Sequence, residues 1–352
     1  MDKELLQDLV DPISKTVLRL EPSKVDAHGA ILAGQLLADG GRTYSIHHGI
    51  PRFVLSSDDQ QRQTSDSFGF KWGRTESYGS KAMLNSAQTW LLERYGFKDL
   101  ESARAYFAGR SRILDAGCGS GFTASLWMDE SWRALKTAQW YGVDLSSAID
   151  VAQVKLGHIP GTHFIQADLT QLPFRDGFFD TIFSEGVIHH TPSTENALKS
   201  LILLLAPGGE ILFYVYRKKS PLREFADDHI RSVVASLSPE DAWRALEPLT
   251  RLGQAIEKLH AEVVVPEDIP YLGIRAGRHS LHRLLYWHFL KIFWKEDYSF
   301  EENNHINFDW YHPRYAHRQT EEDVRRWCDE AKLSIIHFNT QESGFTVRAL
   351  RR

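Results

Sequence analysis

At 352 residues the chain is longer than one minimal domain of about 100 to 200 residues, and 42% hydrophobic with 25% charged residues is the composition of a folded globular protein rather than a disordered one. Lys and Arg total 41 against 46 Asp and Glu, a formal charge of -5, so there is no overall basic footprint for nucleic acid. Two distant cysteines, Cys118 and Cys328, indicate neither a disulfide framework nor a cysteine-built metal site. The N-terminus MDKELLQDLVDP lacks an apolar leader and no stretch reaches the roughly 18 uninterrupted apolar residues of a membrane span. The expectation is a cytoplasmic protein of a reducing compartment, with no membrane contact.

In chain order, residues 1–55 read as a small unit ending in YSIHHGIPRFVL. The polar run SSDDQQRQTSDS follows as a linker, with a boundary near Ser56 to Asp66. From Arg112 the runs RILDAG, WYGVDL, THFIQADL, FDTIFSEG and GEILFYVY read as buried strands alternating with helices, the pattern of βαβ units and a parallel sheet. Ala197, Leu198, Leu201, Leu204 and Leu205 share a face of the crossover helix before Pro207-Gly208-Gly209. Residues 217–317 break the rhythm as a helix-rich insertion, in which Trp287, Phe289, Phe293 and Trp294 read as a core stripe and Arg275, Arg278, His279, His282, Arg283 and His288 as part of a helical stretch. At Thr320 and Asp323 a capping box restarts the α/β pattern, Val324, Trp327, Cys328 and Ala331 form an apolar face, and SIIHFNT and GFTVRALR close the chain as a hairpin.

The sharpest local signal is Leu114-Asp115-Ala116-Gly117-Cys118-Gly119-Ser120-Gly121, between a strand and a helix. Glycines permit a tight turn and close approach of a ligand, but Phe122 breaks the G-x-G-x-x-G spacing of a dinucleotide site. Asp144 ends the next strand, where a carboxylate can accept from two ribose hydroxyls, and Asp168 ends the third. Three acids at three successive strand ends are more than ordinary punctuation.

This set resembles motif I and the following strands of class I S-adenosylmethionine (SAM)-dependent methyltransferases, methyltransferase type 11-like, over about residues 67–216 and 318–352. The resemblance implies an α/β fold with a doubly wound, seven-stranded, mostly parallel sheet, carrying a helical insertion and a small N-terminal domain. It implies SAM as cofactor, held by Asp115, Gly117, Cys118, Gly119, Gly121, Asp144, Leu145, Asp168, Leu169, Ser184 and Glu185. Glu185, His189 and His190 follow the fourth strand at the edge facing the transferable methyl, and are candidates for removing a proton from the acceptor, with helix-start packing the competing role of the histidines. In the insertion, Tyr311, Arg314, Tyr315 and His317 are the candidate acceptor-binding residues, suited to an anionic or planar small molecule. No histidine spacing supports a metal site.

Asp11-Pro12-Ile13-Ser14, Gly41-Arg42-Thr43-Tyr44-Ser45-Ile46 and His48-Gly49-Ile50-Pro51-Arg52 resemble the small zinc-binding domain that partners some tRNA and protein methyltransferases. Asp11, Ser14, Leu37 and Gly40 stand where four thiolates would be, so a zinc-less form is expected. The leading expectation is therefore O-, N- or C-methylation of a small-molecule acceptor. Two alternatives are a tRNA or protein methyltransferase, against which the acidic balance and the missing N-P-P-Y-type motif count, and a non-catalytic binding protein of the same fold. The sequence leaves the oligomeric state and the atom methylated open.

Overall fold

Short β-rich runs become strands wherever turn residues bound them, and the chain order is β1 (Arg19–Val25), β2 (Ile31–Leu37), β3 (Thr43–His47), β4 (Ile50–Phe53), β5 (Arg112–Ala116), β6 (Gln139–Asp144), β7 (Thr162–Ala167), β8 (Phe179–Glu185), β9 (Leu205–Tyr216), β10 (Glu262–Val265), β11 (Gly277–Ser280), β12 (Leu333–Thr340) and β13 (Gly344–Arg351). The computed structural model describes residues 1–54, 58–128, 132 and 138–352. Among them an eleven-stranded sheet runs β1-β2-β3-β4-β7-β6-β5-β8-β9-β13-β12. Strands β5 to β9 pair in parallel, and β13 enters antiparallel between β9 and β12.

The expectation of seven strands is corrected to eleven. The seven from β7 to β12 are present in that sheet, and the N-terminal strands extend it because β4 pairs in parallel with β7, Arg52 opposite Gln166 and Phe53 opposite Ala167. This covers an edge that would otherwise offer unpaired backbone groups. Arg52 reinforces the join, donating to Gln166 Oε1 at 2.6 Å and to Asp150 Oδ1 at 2.6 Å. Leu5, Leu9, Leu36, Tyr44 and Phe53 pack into the same apolar core as Tyr141, Ile165 and Phe174. The N-terminal residues thus share one sheet and one core with the rest, and a separate small N-terminal domain is not what the structure shows.

Nor is the likeness to a zinc-binding unit supported. Asp11 is fully buried and accepts from the Ser14 amide at 2.8 Å, the Ser14 hydroxyl at 2.5 Å, Arg42 Nη2 at 2.6 Å and the Tyr44 hydroxyl. Burial works to raise its pKa, but these donors prevail and hold the carboxyl well below the usual carboxylate range.

The polar run expected to be a linker is a helix, Asp59–Gly73, started by Asp58, whose side chain accepts the Gln61 amide at 2.6 Å. Ser56, at the expected boundary, lies outside the described residues. The buried face of helix Asp59–Gly73 is Gln61, Thr64, Ser67, Gly69 and Lys71, so the helical period is carried by polar rather than apolar residues.

The segment after β9 leaves and returns at one point: the Lys218 amide donates to the Gln319 carbonyl at 2.9 Å and the Gln319 amide to the Tyr216 carbonyl at 2.8 Å. Between them lie helices Pro221–Val234, Pro239–Glu257, Leu281–His288 and Phe300–Tyr311, with β10 and β11 as a separate antiparallel pair. The core of this cap is Val234, Ala242, Trp243, Leu246, Phe308, Trp310 and Tyr311. The expected stripe is therefore corrected: Trp287, Phe289, Phe293 and Trp294 are only half-buried, because the helix ends at His288 and their spacing defines no common face. Arg278 and His279 lie on β11, not on a helix. No helix among the described residues is long and apolar enough to cross a membrane. The capping box at Thr320 and Asp323 forms, and Val324, Trp327 and Cys328 are buried.

The Asp11 network makes a testable statement about the N-terminal strands. In Asp11→Ala, Arg42 and the Tyr44 hydroxyl lose their shared acceptor, which should lower stability by about 2 kcal/mol in urea unfolding at pH 7. EDTA should leave the wild-type midpoint unchanged; a chelator-induced fall, or one zinc per chain by elemental analysis, contradicts the hydrogen-bonded reading of this corner.

Candidate functional site

The turn after β5 is shaped by steric demand. Gly117 has φ +86°, and a Cβ there would lie 2.2 Å from Cγ1 of Val187; Gly119 has φ +54°, and its Cβ would lie 2.9 Å from the Trp72 indole nitrogen. Both positions require a left-handed backbone and the absence of a side chain. The amides of Gly117 and Cys118 donate to the Val143 carbonyl at 2.7 and 3.0 Å, and that of Gly119 to Asp144 Oδ2 at 2.9 Å, so the turn is bound to the end of β6.

Each strand-end acid has a different environment. Asp144 Oδ1 accepts the Ser146 amide at 2.8 Å and hydroxyl at 2.6 Å; burial raises its pKa while these bonds and that from Gly119 oppose the rise. Asp168 Oδ1 accepts the Thr170 amide at 2.8 Å and hydroxyl at 2.7 Å. Asp115 lies behind the turn, 3% exposed, with Oδ2 unbonded among the described residues, and burial pushes its pKa up to about 8, helped by the neighbouring Asp144 charge and opposed by Trp140.

A cavity of about 550 Å³ opens beyond these strand ends. Of the residues expected to hold the cofactor, it is lined by Gly117, Cys118, Gly119, Asp144, Leu145, Asp168, Leu169 and Glu185, contributed by the ends of four adjacent strands. Asp115, Gly121 and Ser184 do not line it. Gly121 packs instead toward Leu156, and the buried Ser184 hydroxyl donates to the Ala116 carbonyl at 2.9 Å, fastening β8 to β5.

The three residues expected to act on the acceptor also separate. Glu185 accepts Arg94 Nη1 at 2.7 Å and the Tyr95 hydroxyl at 2.6 Å, which fixes its carboxylate in the wall. His189 is fully buried off the cavity, with its ring against Tyr216 at 3.8 Å between centroids. His190 lines the cavity. Its Nδ1 lies 2.5 Å from the Tyr315 carbonyl, an acceptor only, so Nδ1 carries the proton and Nε2 the lone pair. Nε2 is buried without a hydrogen-bond partner among the described residues.

None of Tyr311, Arg314, Tyr315 and His317 lines the cavity. The Tyr311 hydroxyl is inside the cap core, 2.9 Å from Asp227 Oδ1 and 3.0 Å from the Lys291 carbonyl. Arg314 is exposed, its amide donating to Gln63; the Tyr315 hydroxyl donates to Asp58 at 3.1 Å; the His317 amide donates to the His189 carbonyl at 2.9 Å. Their loop holds the His189–His190 segment through its backbone.

Several lining residues escaped sequence reasoning. Phe68, Lys71 and Trp72 come from the helix whose first part was read as a linker, and Tyr286, Lys291 and Phe293 from the cap. The Asp58 cap and the three-and-four spacing of Gln61, Thr64, Ser67 and Lys71 were the available signals for the first group.

Residues 114–213 match the family model described as a methyltransferase domain. The chain is 31% identical over 171 residues to the phthiotriol/phenolphthiotriol dimycocerosates methyltransferase of Mycobacterium leprae (strain TN), covering 48% of this chain and 60% of that protein. It is 30% identical over 141 residues to the malonyl-[acyl-carrier protein] O-methyltransferase of Erwinia pyrifoliae (strain DSM 12163 / CIP 106111 / Ep16/96), covering 39% and 48%. Among solved structures, magnesium protoporphyrin IX methyltransferase (ChlM) from Synechocystis PCC 6803 with bound SAM aligns at a TM-score of 0.43 and 14% identity, over 85% of this chain and 100% of that one. The chain spans about half the length of the curated relatives it matches. Over residues 114–213 the chain is thus similar in sequence to a methyltransferase domain.

Proposed function

We propose that the protein methylates a small-molecule acceptor bound between the strand ends and the cap of residues 217–317, with SAM as methyl donor. One observation carries the reading: a single cavity is walled on one side by the Gly117–Gly119 turn, Asp144 and Asp168, and on the other by aromatic side chains of the cap. The residues present fit the cofactor, since the glycine turn leaves no Cβ in the way and Asp168 retains an oxygen with no protein donor among the described residues. SAM supplies a methyl group already activated on a sulfonium centre.

What remains for the protein is to align, exclude water and accept a proton. Asp144, which anchors Gly119, would accept from the ribose hydroxyls, and Leu145 and Leu169 would supply apolar contact for the adenine. The cap walls the cavity on the side away from the strand ends and so reduces the access of water. His190 accepts the proton of a hydroxyl or amine acceptor at Nε2, its tautomer held by the Tyr315 carbonyl. Glu185 positions the wall through Arg94 and Tyr95 rather than taking a proton.

Three outcomes follow. Calorimetry should find S-adenosylhomocysteine bound by the wild type and about 10- to 100-fold more weakly by Asp144→Ala, from loss of about 1.5 to 3 kcal/mol of hydrogen bonding; wild-type affinity in the variant sinks the cofactor assignment. Methyl transfer to the acceptor identified with labelled SAM should fall about 100-fold or more in His190→Gln with cofactor affinity within about threefold; undiminished transfer removes His190 from the chemistry. Burial, against the opposing Asp309 charge and the Tyr315 carbonyl, lowers the His190 pKa from 6.5 to about 4. The unfolded chain therefore binds more protons between those values, and the stability this histidine contributes is present above pH 6.5 and lost as pH falls toward 4. Between pH 7 and 5 the wild type should lose about 2 kcal/mol more than His190→Gln in urea unfolding, and equal losses would contradict the buried neutral imidazole.

A further inference from the structure

Lys291 follows helix Leu281–His288, is 6% exposed, and lines the cavity. The carboxylates around it are committed elsewhere. Asp227 accepts Arg223 Nε at 2.6 Å, the Trp310 indole N–H at 2.8 Å and the Tyr311 hydroxyl. Asp309 accepts Lys71 Nζ at 2.5 Å and the Tyr216 hydroxyl at 3.2 Å. Among the described residues no carboxylate forms an ion pair with Lys291, whose ammonium lies 4.5 Å from the Trp310 ring centroid. Two more ammonium groups on the same cavity meet, among the described residues, only neutral oxygens: Lys219 the carbonyls of Glu342 and Ser343, and Lys295 the Ser86 hydroxyl at 2.5 Å. A buried ammonium without a counter-charge is costly, and burial correspondingly pushes Lys291 down to about 7, with Asp309 and Asp227 raising it and Arg223 and Lys71 lowering it. A bound anion would relieve that cost.

The surrounding walls define the rest of the ligand. Tyr286, Trp287, Phe293 and Trp310 give aromatic faces to the cavity. The Arg223 guanidinium is taken by Asp227 and the Tyr286 carbonyl, and that of Arg94 by Glu185, Gln341 and Ser343, so neither presents an unengaged fork to a phosphate. Lys219 and Lys295 already donate to protein oxygens, so among the described residues Lys291 is the cavity ammonium left for a ligand, one positive charge for one negative charge.

Resting on the methyl-transfer reading, we propose that the acceptor is a planar or apolar carboxylic acid whose carboxylate pairs with Lys291 while its body lies against the cap aromatics. The probes are benzoate, 2-naphthoate and anthracene-2-carboxylate, each beside its carboxamide, titrated into the protein saturated with S-adenosylhomocysteine. At least one acid should bind, at least tenfold tighter than its carboxamide, and this gap should close in Lys291→Met while cofactor affinity stays within threefold of wild type. Lys291→Arg keeps the charge and should retain part of the gap, which separates loss of charge from loss of shape. No binding by any acid, equal binding of acid and carboxamide, a gap that survives in Lys291→Met, or tighter binding of 2-naphthyl phosphate than of 2-naphthoate overturns the assignment. Failure of the wild type to bind S-adenosylhomocysteine at all would instead overturn the methyl-transfer reading beneath it.

Discussion

One buried ion pair ties together the parts that enclose the cavity. Lys71, from the helix Asp59–Gly73 between β4 and β5, meets Asp309, from the last cap helix, at 2.5 Å, and the Tyr216 hydroxyl at the end of β9 donates to the second Asp309 oxygen. Burial alone would raise the Asp309 pKa, but Lys71, with His190 and Lys291 nearby, holds it well below the usual range. The same ammonium lies 4.1 Å from the Trp72 ring centroid, and Trp72 stands over Gly119. A pair of this kind costs much of its attraction in desolvation, yet removing one partner strands a charge in the interior. Its consequence here is geometric: helix, strand end and cap take one arrangement, and the glycine turn and His190 face the same space.

Within that space charge is partitioned. The carboxylates of Asp144 and Asp168 belong to strand ends and are engaged by backbone amides and short hydroxyl side chains, which fixes their direction. The cations of Lys219, Lys291 and Lys295 belong to the cap side and lack carboxylate partners among the described residues. Such a division suits a cationic cofactor against the sheet and an anionic acceptor against the cap, in a site whose low dielectric strengthens both attractions.

What was legible in the sequence follows from what is local. Asp115, Asp144 and Asp168 end strands that announce themselves by short β-branched and aromatic runs, and the turn from Gly117 is named by its glycines; the Thr320 cap and closing hairpin are equally local. Long-range pairing was not legible. Nothing in Ile50–Phe53 says that it will lie beside Thr162–Ala167 rather than close a separate unit. Helix Asp59–Gly73 was hidden because its buried face, turned to the cavity, carries Gln61, Thr64 and Lys71 where a core face would carry leucines. Tyr311 and Lys291 show the limit in the cap: adjacent in space through the Tyr311 hydroxyl and the Lys291 carbonyl, one is turned into the apolar core and the other onto the cavity, a distinction set by packing of four helices and not by composition.

The account is tested most directly by a crystal structure of the full chain with S-adenosylhomocysteine. It predicts the ribose hydroxyls on Asp144, the adenine between Leu145 and Leu169 near Asp168, and the thioether sulfur facing the His190 side of the cavity with an open path to the cap aromatics. A ligand bound away from the Gly117–Gly119 turn, or a sulfur walled off by protein from His190 and Lys291, would contradict it.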